Sequence, residues 1–382
     1  MKAIITDVKY RMSISLIRDL AEKGVEIIAC HSGSGIPFAF SSKFVSETAV
    51  LPDSQAQPEE FLSALAELCR SHTSEEGLPV VLPVGAKTLG LLASAEGRKA
   101  MNGVCRLCLP DSASLDLAND KARLAELAKQ IGVPVPFEYE PSSDPSVFNY
   151  PVVIKPVCGE KQGLSAEQRY IIAHDPETAA KATSHFTFDG VPPVVQQYLS
   201  GSGLGYSVVA FEGEIINAIC HKRLREYPLS GGPSTCCQVI DGSFVRKYAE
   251  KLIKALNFTG LAMIEFKLDK DGNPYLLEIN PRIWGTFPLT RASKSSLGYD
   301  WFCLAAGIEP IRVPPKQGTK MYYLLSDARR AAACLKKGRV GQALSSMCSW
   351  VMPGCNEGIF EWKDAKASFA YLSSYIKRGV GQ

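Results

Sequence analysis

Apolar and polar positions recur with two different periods in the first hundred or so residues of this chain. Short apolar runs such as KAIITDV, VEIIACHS and LPVVLPV predict strands. The stretches between them, such as SISLIRDLAEKG and QPEEFLSALAELCRSH, have apolar residues at helical spacing. Strands that alternate with helices predict a parallel sheet with helices on both faces, which places an α/β domain at residues 1–112.

The first strand-to-helix turn, TDVKYRMS, bears on what this domain binds. It contains no glycine, whereas the dinucleotide-binding fingerprint needs glycine there so that the backbone can approach a pyrophosphate. We therefore predict a Rossmann-like fold that lacks this fingerprint.

Helical and strand patterns follow each other again in the next segment. LDLANDKARLAELAKQIG predicts a helix that is opened by Asn119 or Asp120. YPVVIKP predicts a strand that ends at Lys155, and a loop containing Gly159 and Gly163 follows it. A lysine beside loop N–H groups suits a phosphate, but a solvated lysine on an edge strand explains the same pattern equally well.

The stretch IEFKLDKDGNPYLLEIN predicts a β-hairpin. Asp271-Gly272 is typical of a two-residue turn, and apolar and polar residues alternate on both sides of it. In the register set by this turn, Glu265 faces Glu278. The opposite face is expected to be apolar, with Phe266 facing Leu277 in a set made up of Ile264, Phe266, Leu268, Tyr275, Leu277 and Ile279.

The facing glutamates need an explanation, because like charges directly opposite each other destabilise a pair of strands. Alternation also puts Asn280 on the face of Glu278. Two carboxylates and an amide oxygen are therefore predicted to converge. An exposed hairpin with solvated glutamates is the alternative.

Composition narrows the class of protein. The 382 residues, 46% hydrophobic and 21% charged, suggest a globular protein of two or three domains. No stretch approaches the roughly 20 apolar residues of a membrane span, and MKAIITDVKY lacks a secretory apolar region, so we expect a cytoplasmic protein. A net charge of +3, with basic residues spread along the chain, argues against nucleic-acid binding.

The 12 cysteines are scattered, often in apolar runs, and this predicts reduced and buried thiols. Cys105 and Cys108 have the spacing of metal ligands, but no second pair follows and the segment reads as a strand ending at Pro110. The adjacent Cys236 and Cys237 are equally weak evidence for a metal or redox site.

In their order along the chain these segments resemble the ATP-grasp superfamily, which includes carboxylate–amine ligases and carbamoyl phosphate synthase-like proteins. NDKARLAELAKQIGVPVP resembles the helix with the first ATP lysine, VVIKP the strand with the second, VVQQYLSG the segment joining the two lobes, and LLEINPR the metal-binding signature. After the Rossmann-like domain, the resemblance implies an ATP-grasp small lobe at 113–190 and a C-terminal lobe at 191–310. Residues 311–382 are predicted to be a helical extension covering the nucleotide lobes, with an interaction surface as the alternative.

The resemblance also implies the site residues. ATP contacts are expected from Lys121, Lys155, Gly159, Gly163, Gln196, Gln197, Tyr198 and Leu199. Mg²⁺ or Mn²⁺ is expected on Glu265, Glu278 and Asn280, whose hard oxygen atoms suit such a cation, and the metal would remove the like-charge penalty. The predicted catalytic residues are Arg282, on the transferred phosphoryl group or the acyl intermediate, and Lys222 and Arg225. With Arg223, the last two belong to the basic segment HKRLREYPLSGGPST, which could close over an anionic substrate, and a solvated hairpin end is the alternative.

The reaction implied by the resemblance is ATP-dependent ligation. The γ-phosphate would pass to a small carboxylate, and an amine or thiol would attack the acyl phosphate and release phosphate. Carboxyphosphate or carbamoyl phosphate chemistry is a second reading, and a non-catalytic nucleotide-binding module is a third. The expected partners are small-molecule carboxylate and amine substrates, without nucleic acid or membrane, and a homodimer is left open.

Overall fold

The computed structural model describes residues 1–33, 35–140, 143–156, 170–229 and 231–380, with only the backbone for 377–380. Within these ranges there are three sheets, of four, four and seven strands. None of the described helices combines the length and the apolar character needed to cross a membrane. Every cysteine in this part of the chain is a free thiol, and all but Cys348 and Cys355 are buried.

The first sheet is parallel, as predicted. The elements of this region are β1 (Lys2–Thr6), α1 (Ser13–Ala21), β2 (Glu26–Ser32), β3 (Glu47–Leu51), α2 (Pro58–Ser71), β4 (Val80–Pro83), α3 (Ala86–Ala93) and α4 (Ala95–Met101). The strands lie in the order β3-β2-β1-β4. The strand predicted to end at Pro110 is wrong, since only Arg106 forms a single bridge, to Val80.

The second sheet belongs to a small lobe. Its region contains α5 (Ser112–Asn119), α6 (Lys121–Gln130), β5 (Glu138–Tyr139), β6 (Val152–Lys155), β7 (Ile171–Ala173), α7 (Pro176–His185) and β8 (Val194–Gln197), with strand order β5-β8-β6-β7. Asp120 is the N-cap of α6 and accepts the backbone N–H groups of Ala122 and Arg123, both at 3.0 Å. The predicted helix start and the strand end at Lys155 are confirmed.

The third sheet has seven strands in the order β13-β12-β9-β10-β11-β14-β15. Its region contains β9 (Gly203–Phe211), β10 (Glu214–Glu226), β11 (Ser234–Val239), α8 (Ser243–Ala255), β12 (Gly260–Leu268), β13 (Pro274–Asn280), α9 (Pro288–Ala292) and α10 (Leu297–Ala306). One face packs on α6 and α8. The other shares a continuous core with the N-terminal sheet, where the indole of Trp301 donates to the carbonyl of Cys108 at 2.8 Å.

The hairpin of β12 and β13 confirms the pairing of Glu265 with Glu278, but the register changes next to it. Phe266 pairs with Leu276, so the predicted partner Leu277 is wrong. A β-bulge inserts one residue here. As a result the side chain of Leu276 lies in the core and that of Leu277 is exposed. The turn is correspondingly one residue longer than the predicted pair, and the N–H of Asp269 donates to the carbonyl of Asn273.

The C-terminal end is helical, as expected, and it also adds strands to the largest sheet. It contains β14 (Lys320–Tyr322), α11 (Leu324–Lys336), α12 (Val340–Val351), β15 (Cys355–Glu357) and α13 (Ala365–Val380). β14 pairs with β11, and β15 with β14. Side chains of α13 pack in the core that contains the N-terminal sheet, so this end of the chain binds the first domain, which the prediction of a cover for the nucleotide lobes did not include.

Candidate functional site

One transverse row of residues organises the candidate site. Glu278 of β13 pairs with Glu265 of β12, Glu265 with Gly205 of β9, and Gly205 with His221 of β10. Directly paired residues point to the same face of a sheet. Both carboxylates and the His221 imidazole therefore lie on one face, and the missing side chain of Gly205 leaves room for the His221 ring.

Two cations bind the facing carboxylates. Nη2 of Arg223 lies 2.6 Å from Oε1 of Glu265, and Nζ of Lys121 lies 2.8 Å from Oε2 of Glu278. Arg223 also contacts Glu226 at 3.3 Å. These contacts offset the repulsion between the glutamates, and they join the start of α6 to the largest sheet.

The two carboxyl groups differ in their acid strength. Burial raises the pKa of Glu265, although Arg223 opposes that shift. Burial acts on Glu278 in the same direction, but Lys121, the Asn280 amide and Arg223 outweigh it and hold the pKa of Glu278 below its ordinary value. Glu278 is thus the more strongly ionised of the pair.

Asn280 and Arg282 extend the site beyond Glu278. The Asn280 amide donates from Nδ2 to Oε1 of Glu278 at 3.0 Å, and its Oδ1 accepts from Nη2 of Arg282 at 3.2 Å. Arg282 also donates to the carbonyl of Ile283. The predicted residues Glu265, Glu278, Asn280 and Arg282 are therefore brought together.

Lys155 lies at the end of β6, in the small lobe. Its Nζ donates to Oε1 of Gln196 at 2.7 Å, and Nε2 of Gln196 donates in turn to Glu138. Burial, and then the charge of Lys121, lower the pKa of Lys155 to about 8. A half-buried ammonium with a neutral partner retains capacity to bind an anion.

The end of β8 and the residues that follow it lie beside the strand of this lysine. The N–H of Gln197 donates to the carbonyl of Phe137 at 2.8 Å, and that of Tyr198 donates to Pro151 at 3.3 Å. Leu199 is buried. The predicted phosphate-loop residues Gly159 and Gly163 lie outside the described residues.

The structure does not bring Lys222 and Arg225 to the carboxylates. Lys222 pairs with Leu204, which pairs with Phe266, and this row points to the opposite face. The guanidinium of Arg225 is bound bidentately by Asp327, with Nε 2.9 Å from Oδ1 and Nη2 2.7 Å from Oδ2.

Arg223 is the residue of the predicted basic segment that reaches the carboxylates. Its side chain crosses Gly203, where an added Cβ would lie 3.3 Å from Cδ of Arg223. His221, which the sequence prediction omitted, contacts Oγ1 of Thr286 at 2.9 Å through Nε2. Two glycines at alternate positions of GLGYSVV, opposite a basic strand, are the signal that could have identified His221.

The predicted metal ligands include only two acidic side chains. In the part of the chain that the structure describes, no three His, Cys, Asp or Glu side chains gather into a metal-binding group. The donor set Glu265, Glu278 and Asn280 nevertheless consists of hard oxygen ligands, and both carboxylates already bind positive charge. The residues fit a divalent cation that completes its shell with phosphate oxygen atoms and water.

Comparison with known families gives one match to part of the chain. A family described as "ATP-grasp in the biosynthetic pathway with Ter operon" matches residues 190–325, which contain the carboxylates, Asn280 and Arg282. The carbamoyl phosphate synthase large chain of Clostridium acetobutylicum is 26% identical over 194 residues, which are 46% of this chain and 17% of that protein. The large chain of Pyrococcus furiosus is 22% identical over 229 residues, 56% of this chain and 21% of its own. The chain thus spans about a fifth of these relatives.

Solved structures share the fold over most of the chain. An L-amino acid ligase from Bacillus licheniformis superposes with a TM-score of 0.56 at 16% identity, covering 81% of this chain and 75% of its own. Biotin carboxylase from Campylobacter jejuni gives 0.60 at 15%, covering 82% and 72%. N5-carboxyaminoimidazole ribonucleotide synthetase from Thermus thermophilus gives 0.59 at 15%, covering 84% and 82%.

Proposed function

Because this chain has the ATP-grasp fold, we propose that it is an ATP-dependent ligase that activates a small carboxylate for attack by an amine or thiol. The observation that carries the proposal is the pair Glu265 and Glu278, held directly opposite each other beneath Arg223 and Lys121. Two carboxylates, each paired with a cationic side chain, suit a site that binds phosphate groups together with a metal cation. A location in the cytoplasm and assembly as a homodimer belong to the same proposal.

ATP is proposed to bind between the small lobe and the largest sheet. Lys121 and Lys155 would contact its phosphates, since Lys121 contacts Glu278 and its charge reaches Lys155, whose hydrogen-bond partner, Gln196, is neutral. Gln196, Gln197, Tyr198 and Leu199 would contact the adenine. The proposed contacts of Gly159 and Gly163 remain predictions.

Glu265, Glu278 and Asn280 are proposed to hold Mg²⁺ or Mn²⁺. When bound, such a cation neutralises phosphate charge and aligns the terminal phosphate. In the protein as described, Arg223 and Lys121 supply positive charge to the same oxygen atoms. When a divalent cation takes the place of Lys121 or Arg223 at these carboxylates, the displaced side chain can turn toward the nucleotide or the substrate.

The proposed reaction has two steps. A carboxylate oxygen attacks the γ-phosphorus and ADP leaves; the amine or thiol then attacks the acyl carbon, loses a proton, and phosphate leaves. Arg282 and Arg223 would share the charge of the phosphoryl group as it passes from ATP to the carboxylate. His221 is neutral, since burial lowers its pKa to about 3, so it positions Thr286 without adding charge.

A second candidate is carboxyphosphate chemistry, with bicarbonate as the activated carboxylate. The similarity to carbamoyl phosphate synthase large chains and the fold shared with biotin carboxylase favour it. Its site would be the same. The two candidates differ in whether bicarbonate alone stimulates ADP formation.

The test is a screen of amino acids, small carboxylates and bicarbonate for ADP release, followed by trapping with hydroxylamine. With the correct organic carboxylate, we expect hydroxamate to form in step with ADP, and roughly 100-fold more slowly in Arg282→Ala. Stimulation by bicarbonate alone, without an organic hydroxamate, would favour the second candidate. Stoichiometric AMP and pyrophosphate would contradict both, and ATP binding without turnover would return the protein to the class of nucleotide-binding modules.

A further inference from the structure

A cavity of about 420 Å³ lies on the face of the seven-stranded sheet opposite to the carboxylates, beneath the hairpin of α11 and α12. Its walls include Arg225, Lys320 and Arg330. Arg225 pairs with Cys236 and Arg223 with Cys237, which are consecutive residues of β11 and so point to opposite faces. The cavity is thus separated from the candidate functional site by the sheet itself.

The charges around this cavity are unbalanced. Asp327 neutralises Arg225 through two hydrogen bonds. Within the described ranges, Lys320 and Arg330 form no ion pair with any carboxylate, and Arg330 has a neutral partner, Oγ of Ser346 at 3.0 Å. Two positive charges without an acidic partner therefore line one concave space, with Lys320 exposed and Arg330 partly buried, and both would attract an anion that enters it.

Neutral polar side chains line the same space. They are those of Ser345, Ser349 and Gln342, and Oγ of Ser349 already accepts from Nη2 of Arg225 and donates to the carbonyl of Ser346, both at 2.7 Å. The first turn of the 12-residue helix α12 also lines it through Gly341, and no side chain caps that end of the helix. Uncapped N–H groups at the start of a helix favour a bound anion.

We propose that this cavity binds a phosphorylated small molecule, at a site separate from the proposed ATP-dependent reaction. A phosphomonoester carries nearly two negative charges at neutral pH, which matches the two unpaired cations, and its oxygen atoms suit a guanidinium, an ammonium and helix N–H groups together. The volume lies in the range of small-molecule sites and exceeds that of a phosphate ion, which leaves room for an organic part beside Leu224 and Met352.

Trp350 provides a local signal for testing this site. Its indole N–H donates to Oδ2 of Asp327 at 2.8 Å, and Asp327 holds Arg225 in the cavity wall. Trp284, two residues after Arg282, is buried in the core that contains the N-terminal sheet and serves as a reference signal away from the cavity. The 4 tryptophans of the chain give separate indole signals in a ¹H–¹⁵N spectrum, and single Trp→Phe variants assign them.

The experiment titrates the full-length protein with inorganic phosphate, ribose 5-phosphate and succinate. We expect the Trp350 signal to shift saturably with both phosphates, more tightly with ribose 5-phosphate, and not with succinate. Lys320→Gln and Arg330→Gln should each weaken binding about tenfold. The Lys320 side chain forms no hydrogen bond among the described residues, so its variant tests the site even if loss of the Arg330–Ser346 contact loosens the helices.

Two matched controls distinguish binding in this cavity from a general effect of charge and from binding at the proposed ATP site. Lys337→Gln removes the same charge from the exposed end of α11, outside the cavity wall, and should leave the affinity within about twofold. Lys155→Gln alters only the proposed ATP site and should leave the response of Trp350 unchanged. An unchanged Trp350 signal, equal losses in Lys337→Gln and Lys320→Gln, sensitivity to Lys155→Gln, or equal binding of succinate would each overturn the proposal.

Discussion

Gly205 is the single residue on which the geometry of the candidate site depends most directly. An added Cβ there would lie 2.2 Å from Cε1 of His221, far inside contact distance. The His221 ring therefore lies over the backbone of β9, and Arg223 reaches across Gly203 of the same strand in a similar way. The absence of two side chains makes room for the His221 ring and lets Arg223 reach the carboxylate of Glu265 on β12.

Gly205→Ala should displace His221 and lower the free energy of unfolding by roughly 1–3 kcal/mol, because the core around the ring is closely packed. The matched control is Gly90→Ala in α3, where an added Cβ has nothing within 4 Å and should raise stability by up to about 1 kcal/mol. Urea unfolding measures both. Equal stability of Gly205→Ala and the wild type would contradict this view of the site.

The lowered pKa of Lys155 predicts how the affinity for ATP depends on pH. Its pKa lies near 8, below that of an ordinary lysine, so it is charged below pH 8 and loses its charge as the pH rises through that value. Since phosphates bind the charged form, ATP affinity should be highest below pH 8 and fall by up to about tenfold for each further pH unit. Calorimetry from about pH 7.5 to 9.5 measures this slope.

Lys155→Gln serves as the comparison for that experiment. It should bind ATP more weakly at pH 7.5 and lose the slope near pH 8, since no titrating group remains at that position. A slope that persists unchanged in Lys155→Gln would assign the titration to another residue and return Lys155 to a solvated role.

Bulges decide which basic residue of β10 enters the site. A hairpin that turned at Glu212-Gly213 without a bulge would pair Lys222 with Gly203 and put Lys222 on the carboxylate face. The observed register shifts by one residue between Ile215 and Asn217. His221 and Arg223 therefore lie on the carboxylate face instead of Lys222. A second shift between Arg223 and Arg225 sends Arg225 to the opposite face. Because of these two inserted residues, Arg223 binds the carboxylate site on one face of the sheet and Arg225 binds Asp327 on the other face.

The division between Arg223 and Arg225 predicts different defects for the two methionine variants. Arg223→Met should lower ADP release roughly 100-fold, because it removes charge from the carboxylate site. Arg225→Met should leave turnover of the folded protein close to wild type while costing about 3 kcal/mol of stability, because it leaves the buried Asp327 without its cation. Steady-state kinetics and urea unfolding distinguish the two. Comparable loss of turnover in both variants, at a temperature where both are folded, would argue against the division.

The C-terminal end of the chain forms buried polar contacts with the first domain. Asp364, before α13, accepts from Nε of Arg18 at 2.9 Å, from Oγ of Ser42 at 2.8 Å and from the N–H of Lys43 at 3.0 Å. Both Asp364 and Arg18 are almost fully buried. The first domain is thus completed by residues more than three hundred positions later in the chain.

Asp364→Ala should lower the free energy of unfolding by roughly 3–5 kcal/mol, because it leaves the buried Arg18 guanidinium without its closest carboxylate. Glu309→Ala is the control, since the exposed pair of Glu309 and Arg312 contributes about 0–1 kcal/mol. Chemical denaturation followed by circular dichroism measures both. A loss no larger than that of the control would show that the C-terminal end is not needed for the stability of the first domain.

Much of the architecture follows from local pattern alone. Alternating strands and helices predicted the parallel sheet, Asp120 predicted the start of α6, and the turn at Asp271-Gly272 predicted the facing pair Glu265 and Glu278. Each of these depends on residues close together in the chain, where backbone geometry and side-chain period set the outcome.

Tertiary packing alone decided the rest. A bulge adds one residue to a strand without a turn signal in the sequence. Alternation therefore could not predict that Leu276, not Leu277, enters the core, or that Arg223, not Lys222, lies on the carboxylate face. Arg225 binds Asp327 and Arg18 binds Asp364 across 102 and 346 positions, where many other acids were available by sequence. Sequence period determines which face a residue prefers within its own element, but only the packed sheet determines which distant charge it meets there.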